Sequence, residues 1–162
     1  MPDEPTAVHP SIQKVLDAAR QRGLEIEVRQ FAESTRTAQE AAQAIGASLG
    51  QIVKSLVFLA DGKPVLVLAS GPNRVDTAKV AQQAEASQVR RASADEVRTA
   101  TGFAIGGVPP FGHTRRLPVF LDRDLLQFEI VWAAAGTANT VFAVEPRRLT
   151  EASGAIVADV KE

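Results

Sequence analysis

The segment from Ile52 to Ala69 constrains the fold of this chain more than any other. Ile52-Val-Lys-Ser-Leu-Val-Phe-Leu59 is almost wholly apolar, Asp61-Gly62 is a turn signal, and Pro64 to Ala69 is apolar again. Two short apolar runs about a dipeptide that tolerates positive φ predict an antiparallel hairpin. Period-two alternation puts Ile52, Lys54, Leu56 and Phe58 on one face, so that face is expected to be buried or to floor a pocket. Lys54 is the anomaly on it, because an ammonium is rarely buried without a partner. It reads as a charge guarding an edge strand or a stem reaching back to water. The alternative, favoured here, is a cation aimed into a cleft to meet a phosphate or carboxylate.

Around this hairpin, helices and strands alternate irregularly. His9-Pro10-Ser11 opens a helix carrying Ile12, Val15, Leu16 and Ala19, and Gly23 stops it. Leu24, Ile26 and Val28 alternate with charged residues as in a half-buried strand. Thr37 and Glu40 form a capping box before an alanine-rich helix ending near Gly46. Asp76 caps a helix through Ala84, and Ser93 with Glu96 caps another that runs into Thr101-Gly102. Leu117 to Leu121 and Glu129 to Ala135 read as strands joined by an acidic connection. Gly136-Thr-Ala-Asn139 reads as a hairpin loop before Val141 to Val144. Pro146 starts a last helix, and Ile156 to Val160 closes the chain. With no strict βαβ order, these elements predict one α+β domain with a mixed or largely antiparallel sheet. Residues 1–8 read as a flexible tail.

Composition removes several function classes. The charges nearly cancel, 18 basic against 19 acidic, which argues against a broad footprint on duplex DNA but leaves room for contact with one nucleic-acid end. With no cysteine, thiolate catalysis, disulfides and Cys-ligated zinc are excluded. No apolar run approaches a membrane span, the N-terminus lacks a signal-peptide pattern, and the cytoplasm is the expected compartment.

The second anomaly is Thr101-Gly-Phe-Ala-Ile-Gly-Gly-Val-Pro-Pro-Phe-Gly-His113, where glycines and prolines interrupt an apolar stretch. Such a loop is either a stiff connection or a rigid surface of bare backbone groups able to grip a ligand. His113, standing alone after Gly112, reads as a loop residue rather than a base. Asp122 and Asp124 read as a solvated turn rather than a metal site. No nucleophile elbow, phosphate loop or dinucleotide fingerprint is present. Of the basic pairs Arg90-Arg91, Arg115-Arg116 and Arg147-Arg148, only Arg115-Arg116 follows the glycine loop closely enough to meet a phosphate beside it. The other two read as solvated.

Ile52-Val-Lys54-Ser-Leu-Val-Phe, Asn73-Arg-Val-Asp76 and Thr101 to Gly112, in this order and spacing, resemble the YbaK/ProX family over about Ser11 to Val160. These are free-standing editing domains related to the insertion domain of bacterial prolyl-tRNA synthetase. The resemblance implies a single α+β domain around a mixed, barrel-like sheet. It also implies hydrolysis of the ester between a wrong amino acid and the terminal adenosine of a tRNA, with no cofactor or metal. Lys54 matches the family's motif lysine, which contacts the substrate end of the acceptor strand. Gly106 to Pro110 matches its G-x-x-x-P loop, so Gly106, Gly107 and Pro110 are expected in the catalytic site, the N–H groups of Gly106 and Gly107 serving as donors for the developing oxyanion. Val108, Asn73, Ala134, Gly136, Arg115 and Arg116 are expected to bind substrate. Ala134 stands where the cysteine-removing subgroup carries serine, which points to alanine, serine or threonine instead. The implied partners are the acceptor end of an aminoacyl-tRNA and a synthetase. A non-catalytic binding module and a hydrolase of simple esters are the competing readings.

Overall fold

The computed structural model describes residues 8–31 and 37–162; all of the expected N-terminal tail except Val8 lies outside them. The predicted hairpin forms the centre. Strands β2 (Val53–Ala60) and β3 (Lys63–Ser70) pair antiparallel from Val53↔Ser70 to Ala60↔Lys63. Asp61 (φ 48°) and Gly62 (φ 82°) both sit in the left-handed region, the conformation whose twist matches the flanking strands. Strand β5 (Val119–Asp122) adds parallel to β3, and β8 (Ile156–Ala158) adds parallel to β5. On the other side β4 (Val89–Arg91) pairs antiparallel with the end of β2, giving a mixed five-stranded order β4-β2-β3-β5-β8.

A second, antiparallel sheet has the order β1-β7-β6, from β1 (Val28–Gln30), β7 (Thr140–Val144) and β6 (Val131–Ala134). The predicted Gly136–Asn139 turn joins β6 to β7. Among the described residues the two sheets meet at one bridge, Ile52↔Trp132. This corrects the barrel-like expectation: beyond that bridge β6 and β2 form no ladder, so the two sheets do not close into a barrel. One core fills the space between the sheets, including Val53, Val57, Leu59, Val108, Phe111, Ala133 and Phe142. A second lies across the five-stranded sheet, with Phe58, Val65, Val67, Ala69 and Val80. Both faces of the hairpin are therefore covered, which is why its strands are apolar throughout rather than alternating.

Helix boundaries follow the local capping chemistry. Helix α1 (Pro10–Gln21) starts with Pro at its first position, and His9 Nδ1 accepts the Ser11 N–H at 3.0 Å. Helix α2 (Ala38–Ile45) is capped by Thr37, whose Oγ1 accepts the Glu40 N–H at 3.1 Å, and ends at left-handed Gly46. Asp76 caps α3 (Thr77–Ala84), and the reciprocal Ser93–Glu96 box caps α4 (Ala94–Thr101). Helix α5 is Pro146–Ser153. Burial alternates from Leu24 to Val28 as expected, but pairing begins only at Val28, opposite Phe142. Strand β4 was not expected at all: Arg90 and Arg91 are exposed and Val89 is only half-buried, so the segment carries no alternation to read.

Candidate active site

The glycine–proline segment is a compact loop whose ends are tied together. Gly102 (φ 82°) terminates α4, and the Thr114 N–H donates to Thr101 O at 3.0 Å. Phe103, Val108 and Phe111 are driven into the core, each 2% exposed, while Ala104, Ile105 and Gly106 stay at the surface. Anchoring on both sides makes the exposed tip rigid. Inside the loop, His113 Nε2 lies 2.7 Å from Pro109 O. A carbonyl can only accept, so that nitrogen carries the proton. Burial lowers the His113 pKa, the Pro109 hydrogen bond opposes this, and the Arg22 charge lowers it further.

Two glycines fix the loop's position. A Cβ on Gly107 would fall 2.8 Å from Thr137 Cα and 2.9 Å from Gly136 O. Gly136 (φ 110°) would in turn drive a Cβ to 2.6 Å from Ser11 O. The start of α1, the β6–β7 turn and the glycine loop therefore stack backbone on backbone. The Gly107 N–H is consumed in that arrangement, donating to Ala104 O at 3.0 Å. This removes it as the oxyanion donor expected from the sequence. The Gly106 N–H has no acceptor among the described residues.

Facing this loop is a cleft of about 250 Å³. Its walls come from β2 (Val53, Lys54, Ser55, Val57), the loop (Ile105, Gly106, Val108), β6 (Trp132, Ala134) and Arg91 beside β2. Lys54 is half-buried, and its Nζ donates to Asn73 O at 2.6 Å. An ammonium has three donors, so two remain for an anion. Burial, ahead of the Arg91 charge, holds Lys54 below the ordinary lysine pKa. Asp122 pulls in the opposite direction, and Arg74 adds to the depression.

The segment that receives Lys54 is held from below. Asn73 Nδ2 donates to Asp122 Oδ2 (2.8 Å) and Asp124 Oδ2 (2.9 Å), and the Ser70 N–H donates to Asp122 Oδ2 at 3.0 Å. Lys161 Nζ reaches Asp124 Oδ2 at 2.6 Å. Asp122 is 1% exposed and Asp124 is half-buried, so the two carboxylates brace this segment and are not the solvated turn expected, while Arg123 between them stays exposed. Among the described residues no cluster of three or more His, Cys, Asp or Glu could hold a metal.

Of the residues singled out in the sequence, Lys54, Gly106, Val108 and Ala134 line the cleft. Asn73 meets it only through Lys54. Gly107, Gly136 and buried Pro110 lie behind the lining and shape it. Arg115 and Arg116 are exposed and line nothing here. Sequence reasoning missed Ser55, Ile105, Trp132 and Arg91. The first two adjoin residues already singled out, whereas Arg91 was set aside as half of a solvated pair. Arg29 stacks over the Trp132 ring at 5.7 Å, stiffening that wall.

The family model of the aminoacyl-tRNA editing domain matches residues 32–152. The uncharacterized protein YwhH of Bacillus subtilis is 37% identical over 88% of this chain and 91% of its own length. A crystal structure of a candidate trans-editing enzyme for prolyl tRNA synthetase superposes with a TM-score of 0.91 at 48% identity, covering 96% of this chain and 99% of that one. The proline–tRNA ligase of Bacillus licheniformis is 38% identical over 55% of this chain, which corresponds to only 16% of the ligase. No helix among the described residues is long and apolar enough to cross a membrane. This chain belongs to the aminoacyl-tRNA editing domain family, a family of hydrolases of the aminoacyl ester bond.

Proposed function

We propose that this protein acts in trans on mischarged tRNA, hydrolysing the ester of a small amino acid, alanine, serine or threonine, at the terminal adenosine. The observation that carries this reading is the composition of one small cleft. A cation held at 2.6 Å by a main-chain carbonyl faces a rigid loop whose Gly106 N–H is unengaged. The cleft volume of about 250 Å³ lies below the roughly 300–1,000 Å³ of sites that enclose drug-sized ligands. Ala134 and Trp132 close the wall that a larger side chain would need.

An activated ester needs a placed water, a donor for the developing oxyanion and a fixed carbonyl, and no strong nucleophile. In the proposed reaction water adds to the ester carbonyl carbon, and the Gly106 N–H meets the developing oxyanion. The bond from that carbon to the ribose oxygen then breaks. One water proton passes to the departing ribose oxygen, assisted by the neighbouring ribose hydroxyl, leaving the free amino acid and the uncharged tRNA. Lys54 holds the phosphate side of the acceptor end.

A panel of tRNAs charged with alanine, serine, threonine, cysteine and a large apolar residue tests this. Release of a small amino acid, with the large one spared, is expected. Binding of tRNA without release of any amino acid would replace this reading with a binding module. Turnover of simple esters with no benefit from the tRNA would replace it with a small-ester hydrolase.

A further inference from the structure

Among the described residues one buried side-chain heteroatom has no hydrogen-bond partner, the Oγ of Ser55. Buried hydroxyls are nearly always paired, so an orphan calls for a reason. Ser55 lines the cleft beside Lys54 and shares its strand face with Val53 and Val57, which also line the cleft and belong to the core between the sheets. Its main chain is open as well. The Val57 carbonyl accepts the Ala92 N–H at 3.0 Å on the β4 side. By the period of two, the Ser55 N–H and C=O face that same side. There the β4 ladder covers only Phe58 to Ala60, and β6, although it runs close to β2, bridges the chain only at Ile52, just before β2 begins. An unpaired hydroxyl and a bare strand edge thus meet on one wall.

Electrostatics decides what belongs there. Lys54 and Arg91, which pairs with Phe58, leave one face of β2, whereas Ser55 leaves the other, so the two cations hold an anionic end on their own face and drive a cationic group to the Ser55 face. An α-ammonium carries donors only and needs oxygen acceptors. The other cleft hydroxyls are already engaged: Thr37 Oγ1 with the Glu40 N–H, and Thr140 Oγ1 with Thr137. Val53, Val57, Val97 and Val108 supply apolar side chains only. We propose that Ser55, through Oγ and its main-chain carbonyl, binds the α-ammonium of the esterified amino acid. This rests on reading the cleft as an aminoacyl-ester site. It orients the substrate with its ammonium on β2, its carbonyl toward the Gly106 N–H and its ribose-phosphate end toward Lys54 and Arg91. Esters lacking a free amino group are then poor substrates.

The test compares the fastest-hydrolysed aminoacyl-tRNA with its α-hydroxy counterpart, for instance alanyl-tRNA with lactyl-tRNA, which differ only at the amino group. Wild type is expected to favour the amino form by about tenfold to a hundredfold in kcat/KM, the range of one hydrogen bond to a charged group. Ser55→Ala should lose that preference by slowing the amino form alone, and Ser55→Thr, which restores a hydroxyl, should recover it. The Ser55→Ala melting temperature should not fall, since no partner is orphaned. An unchanged preference in Ser55→Ala, or an equal loss on both esters, overturns the assignment while leaving the deacylase reading intact. A wild type inert on every charged tRNA takes down both.

Discussion

The two walls of the cleft are built on opposite principles. The glycine loop is over-determined: tied ends, three side chains in the core, a histidine bound to Pro109 O and a glycine-on-glycine contact with the β6–β7 turn all fix one shape. The β2 wall is under-determined. Its lysine is held by one carbonyl, its serine hydroxyl by nothing, and its edge forms no ladder just where the cleft lies. The loop contributes shape and β2 contributes charge and hydrogen-bonding capacity left unspent on the fold. Changes on β2 should therefore alter activity without altering stability, and changes in the loop should alter both.

Lys54→Ala breaks the comparison most directly. Its activity on charged tRNA should fall by about tenfold to a hundredfold, the scale of losing one hydrogen bond to a charged group on the substrate. Stability should hold or rise. A lysine whose folded pKa is depressed binds fewer protons folded than unfolded, so its charge opposes folding at neutral pH and that penalty fades only as pH rises toward its unfolded value. Deacylation rates beside thermal melts measure both halves. A variant that keeps its rate would make Lys54 a guard of the strand edge.

The loop prediction separates adjacent glycines. Gly107→Ala puts a methyl against the Thr137 backbone, which cannot move without shifting the turn and α1. Melting temperature and rate should fall together, the former by several degrees for a cost of about 1–3 kcal/mol. At Gly106 a Cβ meets only Ala138 Cβ at 3.6 Å, so the cost reduces to its φ of 89°, about 1–2 kcal/mol. Rate should fall more than stability there, because the methyl sits beside the free N–H. A Gly107→Ala melting temperature equal to that of the wild type would contradict the stacking described for Gly107.

How far these walls were legible in the sequence follows the same divide. The hairpin, the caps at Asp76 and Ser93 and the unusual character of Lys54 and the glycine loop were readable, because each depends on neighbours within a few residues. Asp122 was misread as solvated because its partners Ser70 and Asn73 lie far along the chain and meet it only through the β3–β5 pairing. Gly107 was misread as a donor because its turn onto Ala104 is set by the backbone at Gly106. Arg91 was overlooked because a short edge strand with exposed arginines looks like a loop. The open edge beside Ser55 is a property of two strands ending, and no residue type announces it.

An acid titration sharpens the loop side. The Arg90 side chain, donating to both Glu96 carboxylate oxygens at 2.9 and 2.8 Å, lowers Glu96 from the ordinary 4.5 to about 2, helped by the Ser93 N–H. A carboxylate depressed on folding stabilises above its unfolded pKa, and that contribution is lost as pH falls through the folded value. Stability should therefore decline between about 4.5 and about 2. Glu96→Gln should be less stable at neutral pH and flatter over that window in pH-dependent melts. Because the pair is exposed, the effect is modest, and an identical profile in the variant would show that the α4 cap does not support the loop above it.

The smallest effect concerns which cations meet the phosphates. Arg91 lines the cleft, and its charge is felt at Lys54 together with that of Arg74. Neither arginine has a carboxylate partner among the described residues. Arg115 and Arg116, which the sequence favoured, lie away from the lining. Counterion release gives a slope in log K against log salt of about −0.7 for each single-strand phosphate neutralised. Contact through Lys54, Arg91 and Arg74 then predicts a total slope of about −2, shallow enough that binding stays weak at physiological salt. Arg91→Ala should flatten the slope by about 0.7, and Arg115→Ala should leave it nearly unchanged. Titrations of both variants with an uncharged tRNA over a range of salt decide between the two arginine sets. If Arg115→Ala carries the larger change, the acceptor end approaches over the glycine loop, and β2 loses its place as the charged wall.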